Sequence, residues 1–100
     1  MRKSIVLAVP LALCGLALAA QAETPAQLAA QAKVSMIQAR EIALKAVPGQ
    51  VVKQELERES GGSGLRYSFD IKSGKDTREV GVDAKTGKLL ENSLDNNDAD

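Results

Sequence analysis

The residues that could do chemistry in this 100-residue chain are almost all carboxylates. The chain has no histidine, and its one cysteine, Cys14, lies in an apolar N-terminal segment that we expect to be removed. This composition excludes histidine-based acid–base catalysis, Ser-His and Cys-His nucleophiles, and zinc or copper sites built from nitrogen and sulfur ligands. What remains is the chemistry that a pair of carboxylates, or a set of oxygen ligands, could perform.

Three carboxylates, Glu55, Glu57 and Asp70, are the candidates for an acid–base pair. Glu55 and Glu57 fall on the predicted solvent face of a strand, where no burial would shift a pKa toward catalytic use. We therefore interpret them as surface charge. The sequence predicts a protein that is not an enzyme and that uses no cofactor.

The last residues offer a possible cation site, since Asp95, Asp98 and Asp100 alternate with Asn and Ala. Carboxylate and amide oxygens suit calcium, but the segment lacks the glycine at position six and the later glutamate of an EF-hand loop. We predict no metal site and a disordered acidic tail over residues 92–100.

Residues 1–22 have the three parts of a cleavable secretory signal. Two basic residues come first, an uncharged apolar run covers residues 5–20, and the small residues Ala20 and Ala22 suit a signal peptidase. We expect cleavage after Ala22 and a periplasmic or secreted chain that begins at Glu23 and keeps no stable membrane anchor. A lipoprotein anchored at Cys14 is the alternative, but the preceding Leu13 is larger than the residue normally found there.

The charge balance of the remaining chain bears on its partners. Removing residues 1–22 takes away two of the 13 basic residues and none of the 13 acidic ones, which leaves a mild negative charge. Nucleic acids and anionic membranes require a clustered basic surface. We therefore predict no nucleic-acid partner and a single small domain.

The firmest helix prediction covers residues 35–47. Ser35 and Gln38 have the spacing of a capping box, and Pro48-Gly49 should end the helix, with glycine accepting a positive φ. At 100° per residue, one arc collects the residues predicted to be buried: Met36, Ala39, Ile42, Ala43, Ala46 and Val47.

Residues 51–59, 65–72, 77–83 and 88–91 have the alternation of β-strands. In the first strand Val52, Gln54 and Leu56 are predicted to share one face, and Lys53, Glu55 and Glu57 the other. In the second, the predicted buried residues are Leu65, Tyr67, Phe69 and Ile71, and those predicted to face water are Arg66, Ser68, Asp70 and Lys72. The last two strands should be joined by a turn in which the Asp83 carboxylate accepts backbone N–H groups and Gly87 supplies a positive φ.

These elements predict an α+β fold, with one main helix packed on a three- to four-stranded antiparallel sheet. Residues 23–33 form either a frayed leader or a short extra N-terminal helix with Pro25 in its first turn. The core should be aliphatic apart from Tyr67 and Phe69.

Two stretches of this chain resemble the PepSY domain family. Residues 39–49 are similar to the helix of that domain, and residues 80–90, with the more specific Val-Asp-Ala-Lys-Thr-Gly segment, are similar to its strand-turn-strand end. The resemblance covers residues 34–91. It implies a small non-catalytic extracytoplasmic module, found in propeptides of thermolysin-like peptidases, that binds peptidases or other proteins, and it carries no catalytic residues over.

We predict a module that binds a protein or peptide, with a peptidase as one class of partner. A small open sheet offers an edge strand for pairing with an extended chain. Ile37 and Leu44 lie off the main helical arc and are either covered by Leu28 or exposed to a partner. The alternative is a small-ligand or cation-binding envelope protein, which the difficulty of enclosing a large pocket in so small a domain disfavours. The sequence leaves open which strand is the edge and whether the domain dimerises.

Overall fold

A computed structural model describes residues 22–95, in which two helices precede a four-stranded antiparallel sheet. The elements are α1 (Pro25–Gln31), α2 (Met36–Ala46), β1 (Gln50–Arg58), β2 (Leu65–Ser73), β3 (Asp76–Asp83) and β4 (Leu89–Leu94). The strands lie in sequence order, which places β1 and β4 at the two edges. The predicted α+β class is confirmed. Of the predicted signal over residues 1–22, residues 1–21 lie outside the described part of the chain.

Both helices begin with a capping box. Ser35 Oγ accepts the N–H of Gln38 at 3.1 Å, and Gln38 Oε1 accepts the N–H of Ser35 at 3.0 Å. Thr24 and Gln27 repeat the arrangement at the start of α1. Residues 25–31 are therefore a helix, which decides between the two alternatives left open for this segment. Within residues 22–95, no helix is long and apolar enough to cross a membrane.

The end of α2 differs from the prediction at Gly49. Val47 is extended at the C-cap, as expected for a residue before proline. Gly49 does not adopt a positive φ. A Cβ there would lie 2.3 Å from the Lys72 carbonyl oxygen, so glycine is needed because β1 begins in close contact with β2.

The hydrophobic core lies between α2 and one face of the sheet. From the helix side Ala39, Ala43 and Val47 are buried at intervals of four residues. The sheet contributes the larger side chains Leu65, Tyr67, Phe69, Ile71, Val80 and Val82. The prediction that Ala46 is buried is wrong: the buried stripe is narrow, and Ala46 lies to one side of it, exposed.

A β-bulge in β1 changes the predicted face of that strand. Val51 pairs with Ile71 and Lys53 with Asp70, so Val52 is the extra residue and is 55% exposed. Val51, rather than Val52, shares the core side with Gln54 and Leu56, which pair with Phe69 and Tyr67. The prediction for Val52 was wrong because a strict period of two does not allow for an extra residue within a strand.

The opposite face of β2 is less exposed to solvent than predicted. Arg66 is only 8% exposed, and its side chain lies over Gly81, where no Cβ stands in the way. Its Nη1 contacts Glu91 at 2.9 Å and Glu59 at 3.8 Å. Ser68 is also buried and donates to Glu57 at 2.8 Å. On this face, polar side chains that hydrogen-bond to one another take the place of a packed helix.

The last strand extends further than predicted. It runs to Leu94, and the Asp95 N–H donates to the Thr77 carbonyl at 2.8 Å. Residues 92–94 are thus part of the sheet and not of a disordered tail, because Arg78, Glu79 and Val80 of β3 give them pairing partners. Residues 96–100 lie outside the described part of the chain.

The turn between β3 and β4 is organised around a buried carboxylate. Asp83 is 1% exposed and accepts the Ser63 N–H and hydroxyl and the N–H groups of Lys85 and Thr86, at 2.7 to 3.1 Å. Burial alone would raise the pKa of Asp83, but these donors outweigh it and lower the pKa to about 2. Gly87 closes the turn with φ of +80°.

Replacing Phe69 tests the core. The side chain is fully buried, so Phe69→Ala should lower the free energy of unfolding by about 3–5 kcal/mol. Urea denaturation followed by circular dichroism measures the loss. A change below about 1 kcal/mol would contradict this burial, since such a value is typical of surface positions.

Asp83→Asn should destabilise the fold by about 2 kcal/mol at neutral pH, because an amide NH2 would face the Ser63 donors and the charge would be lost. The folded-state pKa of about 2 lies below the unfolded value of about 3.9. The advantage of the wild type is therefore complete above the unfolded pKa and lost as pH falls toward 2. Unfolding free energies of both proteins across this range should converge at low pH; a constant gap would contradict the assignment.

Candidate functional site

An open groove runs between the two helices and beside residues 54–57 of β1. Its volume is about 970 Å3, and it is open to solvent instead of enclosed. The lining comes from both helices and from the first two strands, and its apolar part is Pro25, Ala29, Ala32, Val34, Met36, Leu56 and Tyr67. Polar and charged residues complete it: Lys33, Ser35, Gln38, Gln54, Glu55 and Glu57. This lining favours apolar side chains as occupants.

The floor of the groove is anchored by Tyr67. Its hydroxyl donates to the Val34 carbonyl at 2.7 Å, which ties the segment between the helices to β2. Burial raises the pKa of the Tyr67 hydroxyl, so it remains protonated and acts as a donor. Tyr67 therefore shapes the floor of the groove.

One wall of the groove, α1, is held by polar contacts at the far end of β1. Arg58 Nε donates to Glu23 Oε1 at 2.7 Å, and Gln31 Nε2 donates to Glu23 Oε2 at 2.7 Å. Arg58 also contacts Gln31 directly. These hydrogen bonds, from Arg58 first and Gln31 second, lower the pKa of Glu23 to about 2. No residue of α1 is fully buried, and Leu28 is its partly buried anchor on the core.

The outer edge of β1 is open beside the groove. β1 pairs only with β2, and within residues 22–95 no backbone hydrogen bond from another element reaches residues 50–58 from outside the sheet. The bulge at Val52 interrupts this edge at one end, and the Arg58 contacts close it at the other. Residues 53–57 are thus an exposed edge available for strand pairing.

The other face of the sheet near β1 is acidic. A concavity of about 200 Å3 is lined by Lys53, Glu55, Glu57, Ser68, Asp70, Glu79 and Asp95. Burial, followed by the charges of Glu91, Asp70, Asp95 and Glu59, raises the pKa of Glu79. Within residues 22–95, no group of three or more His, Cys, Asp or Glu side chains has the geometry to hold a metal ion.

Ile37 and Leu44, predicted together as a possible partner-facing pair, have different environments. Ile37 is 71% exposed, whereas Leu44 is half-buried and packs against the core. Leu28 and α1 lie against β1. A partner contact through Ile37 and Leu44 remains a prediction, and neither residue lines the groove.

The other residues singled out from the sequence are structural. Ser35 caps α2, Phe69 fills the core, and Asp83 and Gly87 form the β3–β4 turn. Pro48 and Gly49 join α2 to β1. Of these positions only Ser35 and Tyr67 also line the groove.

The sequence did not predict most of the groove. In particular, it did not predict that Ala29, Met36 and Leu56 lie near one another. The available signal was the capping box of Thr24 and Gln27, which has the same spacing as that of Ser35 and Gln38. It would have predicted α1. The position of α1 over β1 depends on tertiary contacts that have no sequence pattern.

Comparison with known proteins identifies the family. The family model for PepSY, the peptidase propeptide and YPEB domain, matches residues 33–92, more than half of the chain. Searches of curated proteins and of solved structures returned no match. The matched range contains α2 and all but the end of the sheet, but α1 precedes it. PepSY domains are of a non-catalytic, propeptide type. With an α+β fold and a match over residues 33–92, this chain belongs to the PepSY family.

Proposed function

We propose that this chain is a non-catalytic module that acts outside the cytoplasm and binds a protein or peptide in the groove between α1, α2 and β1. The observation that carries the proposal is the combination of an apolar groove with an open edge strand along one side. Such an edge supplies backbone hydrogen bonds to an extended chain, while the groove accommodates its side chains.

The family supports the same conclusion. The family model is that of a peptidase propeptide domain, so a peptidase is the first class of partner to test. The volume of the groove would also suit a small apolar ligand. A protein or peptide fits better, because the groove is open and bounded by unpaired backbone, whereas a ligand site usually buries most of its ligand.

Export is the first part of the proposal to test. The mature protein recovered from its native envelope should have the mass of a chain that begins at Glu23, as expected for cleavage after Ala22. A lipid-modified chain beginning at Cys14 would mean a membrane anchor, and an intact chain from Met1 would argue against export.

Two neighbouring alanines of α1 test the groove. Ala29 lines the groove and Ala30 does not, although both are exposed on the same helix. Ala29→Arg should fill the groove and abolish binding, while Ala30→Arg should bind like wild type, since arginine is a good helix former at either position.

The measurement is a parallel pull-down from envelope extract with wild type and both variants as baits. A protein retained by wild type and Ala30→Arg, and lost from Ala29→Arg, identifies a groove partner. Circular dichroism confirms that both variants are folded. A partner retained equally by all three baits would place binding elsewhere and overturn the groove as the site.

A further inference from the structure

The two sides of the exposed β1 edge differ in chemistry, and this difference constrains what can pair with it. Successive side chains of a strand point to opposite faces. On the groove side the edge presents Gln54 and Leu56, with the apolar walls beyond. On the other side it presents Lys53, Glu55 and Glu57.

The acidic side of the edge carries two glutamates, Glu55 and Glu57, for its one lysine, Lys53. Lys53 contacts Glu55 at 3.8 Å, and both side chains are exposed, so this pair is weak. Behind them lie Asp70, Glu79 and Asp95 in the same concavity. A strand added to β1 would place every second side chain over this acidic surface, at the short distance of directly opposed residues.

The groove side imposes the opposite preference. An added strand would direct its remaining side chains toward Leu56, Met36 and Ala29, where a charge would lose hydration against apolar neighbours. Apolar side chains would instead be buried there. The available stretch is short, because the bulge at Val52 and the Arg58–Glu23 contact bound it.

From this juxtaposition we propose that the partner of the groove is an extended segment in which apolar residues alternate with lysine or arginine, paired to residues 53–57 of β1. The apolar residues enter the groove, and the basic residues lie over Glu55 and Glu57. This proposal rests on the proposed function, since it names the chemistry of the chain that the groove holds.

Synthetic peptides as long as β1 provide the test. Three end-capped peptides share the same alternating leucine and valine positions, and the intervening residues are lysine, serine or glutamate. Titration of the purified chain at low salt should show the lysine peptide binding about tenfold more tightly than the serine peptide, and the glutamate peptide more weakly than either. Added salt should reduce the difference.

Matched variants locate the preference. Glu55→Gln with Glu57→Gln should remove most of the advantage of the lysine peptide over the serine peptide, since glutamine carries no charge but can still accept from Ser68. Glu41→Gln, an exposed carboxylate on α2 outside the groove, should change nothing. Ala29→Arg should weaken all three peptides.

Several outcomes would overturn the proposal. They are equal affinity for the lysine and glutamate peptides, a preference that survives the double glutamine variant, no peptide binding at all, or a dimer in which a second copy occupies β1. A different result would contradict the proposed function itself: the Ala29→Arg bait would still retain the envelope partner. A partner lost from that bait while the peptides show no charge preference would preserve the function and refute only the partner chemistry.

Discussion

The close approach of α2 to the sheet is the constraint on which the rest of the structure depends. Ala39 and Ala43 present almost no side chain, so the helix backbone lies directly over Phe69, Val80 and Val82. Packing this close is confined to a narrow stripe of α2, which lies mainly over β2 and β3 and also contacts β4. The helix reaches β1 through Arg40, which donates to Gln54 at 3.3 Å, and Leu56 of β1 is left only half-buried. The groove is the space that results when α1, and not α2, stands over that strand.

The placement of α1 has two separate supports. The segment that follows it is fixed at the sheet end, where the N–H groups of Lys33 and Val34 both donate to the Ala84 carbonyl at 2.9 Å. Its other support is the exposed cluster of Glu23, Gln31 and Arg58. Because α1 precedes the range that matches the family, the groove combines a sheet and a helix from within that range with a wall from outside it.

The uncovered face of the sheet shows how a small domain manages without a second layer. Arg66 lies across Gly81 and bonds to Glu91, which shields the middle of the sheet with the aliphatic stem of a charged side chain. Its Nε has no hydrogen-bond partner among residues 22–95. Near β1 the same face of the sheet carries exposed or half-buried carboxylates instead. The same sheet thus has an apolar groove at one face of its edge strand and a negative surface at the other.

Local interactions are what the sequence by itself determined. The cap of α2 by Ser35 and Gln38, the helix end at Pro48, the inward Tyr67 and Phe69 and the positive φ of Gly87 involve residues close in the chain or a strict period of two, so their pattern predicts them. Only the tertiary structure decided the bulge at Val52, the burial of Arg66 and the groove. Each depends on which residue of one strand or helix comes to lie opposite a distant one, and that register is set by packing across the whole domain.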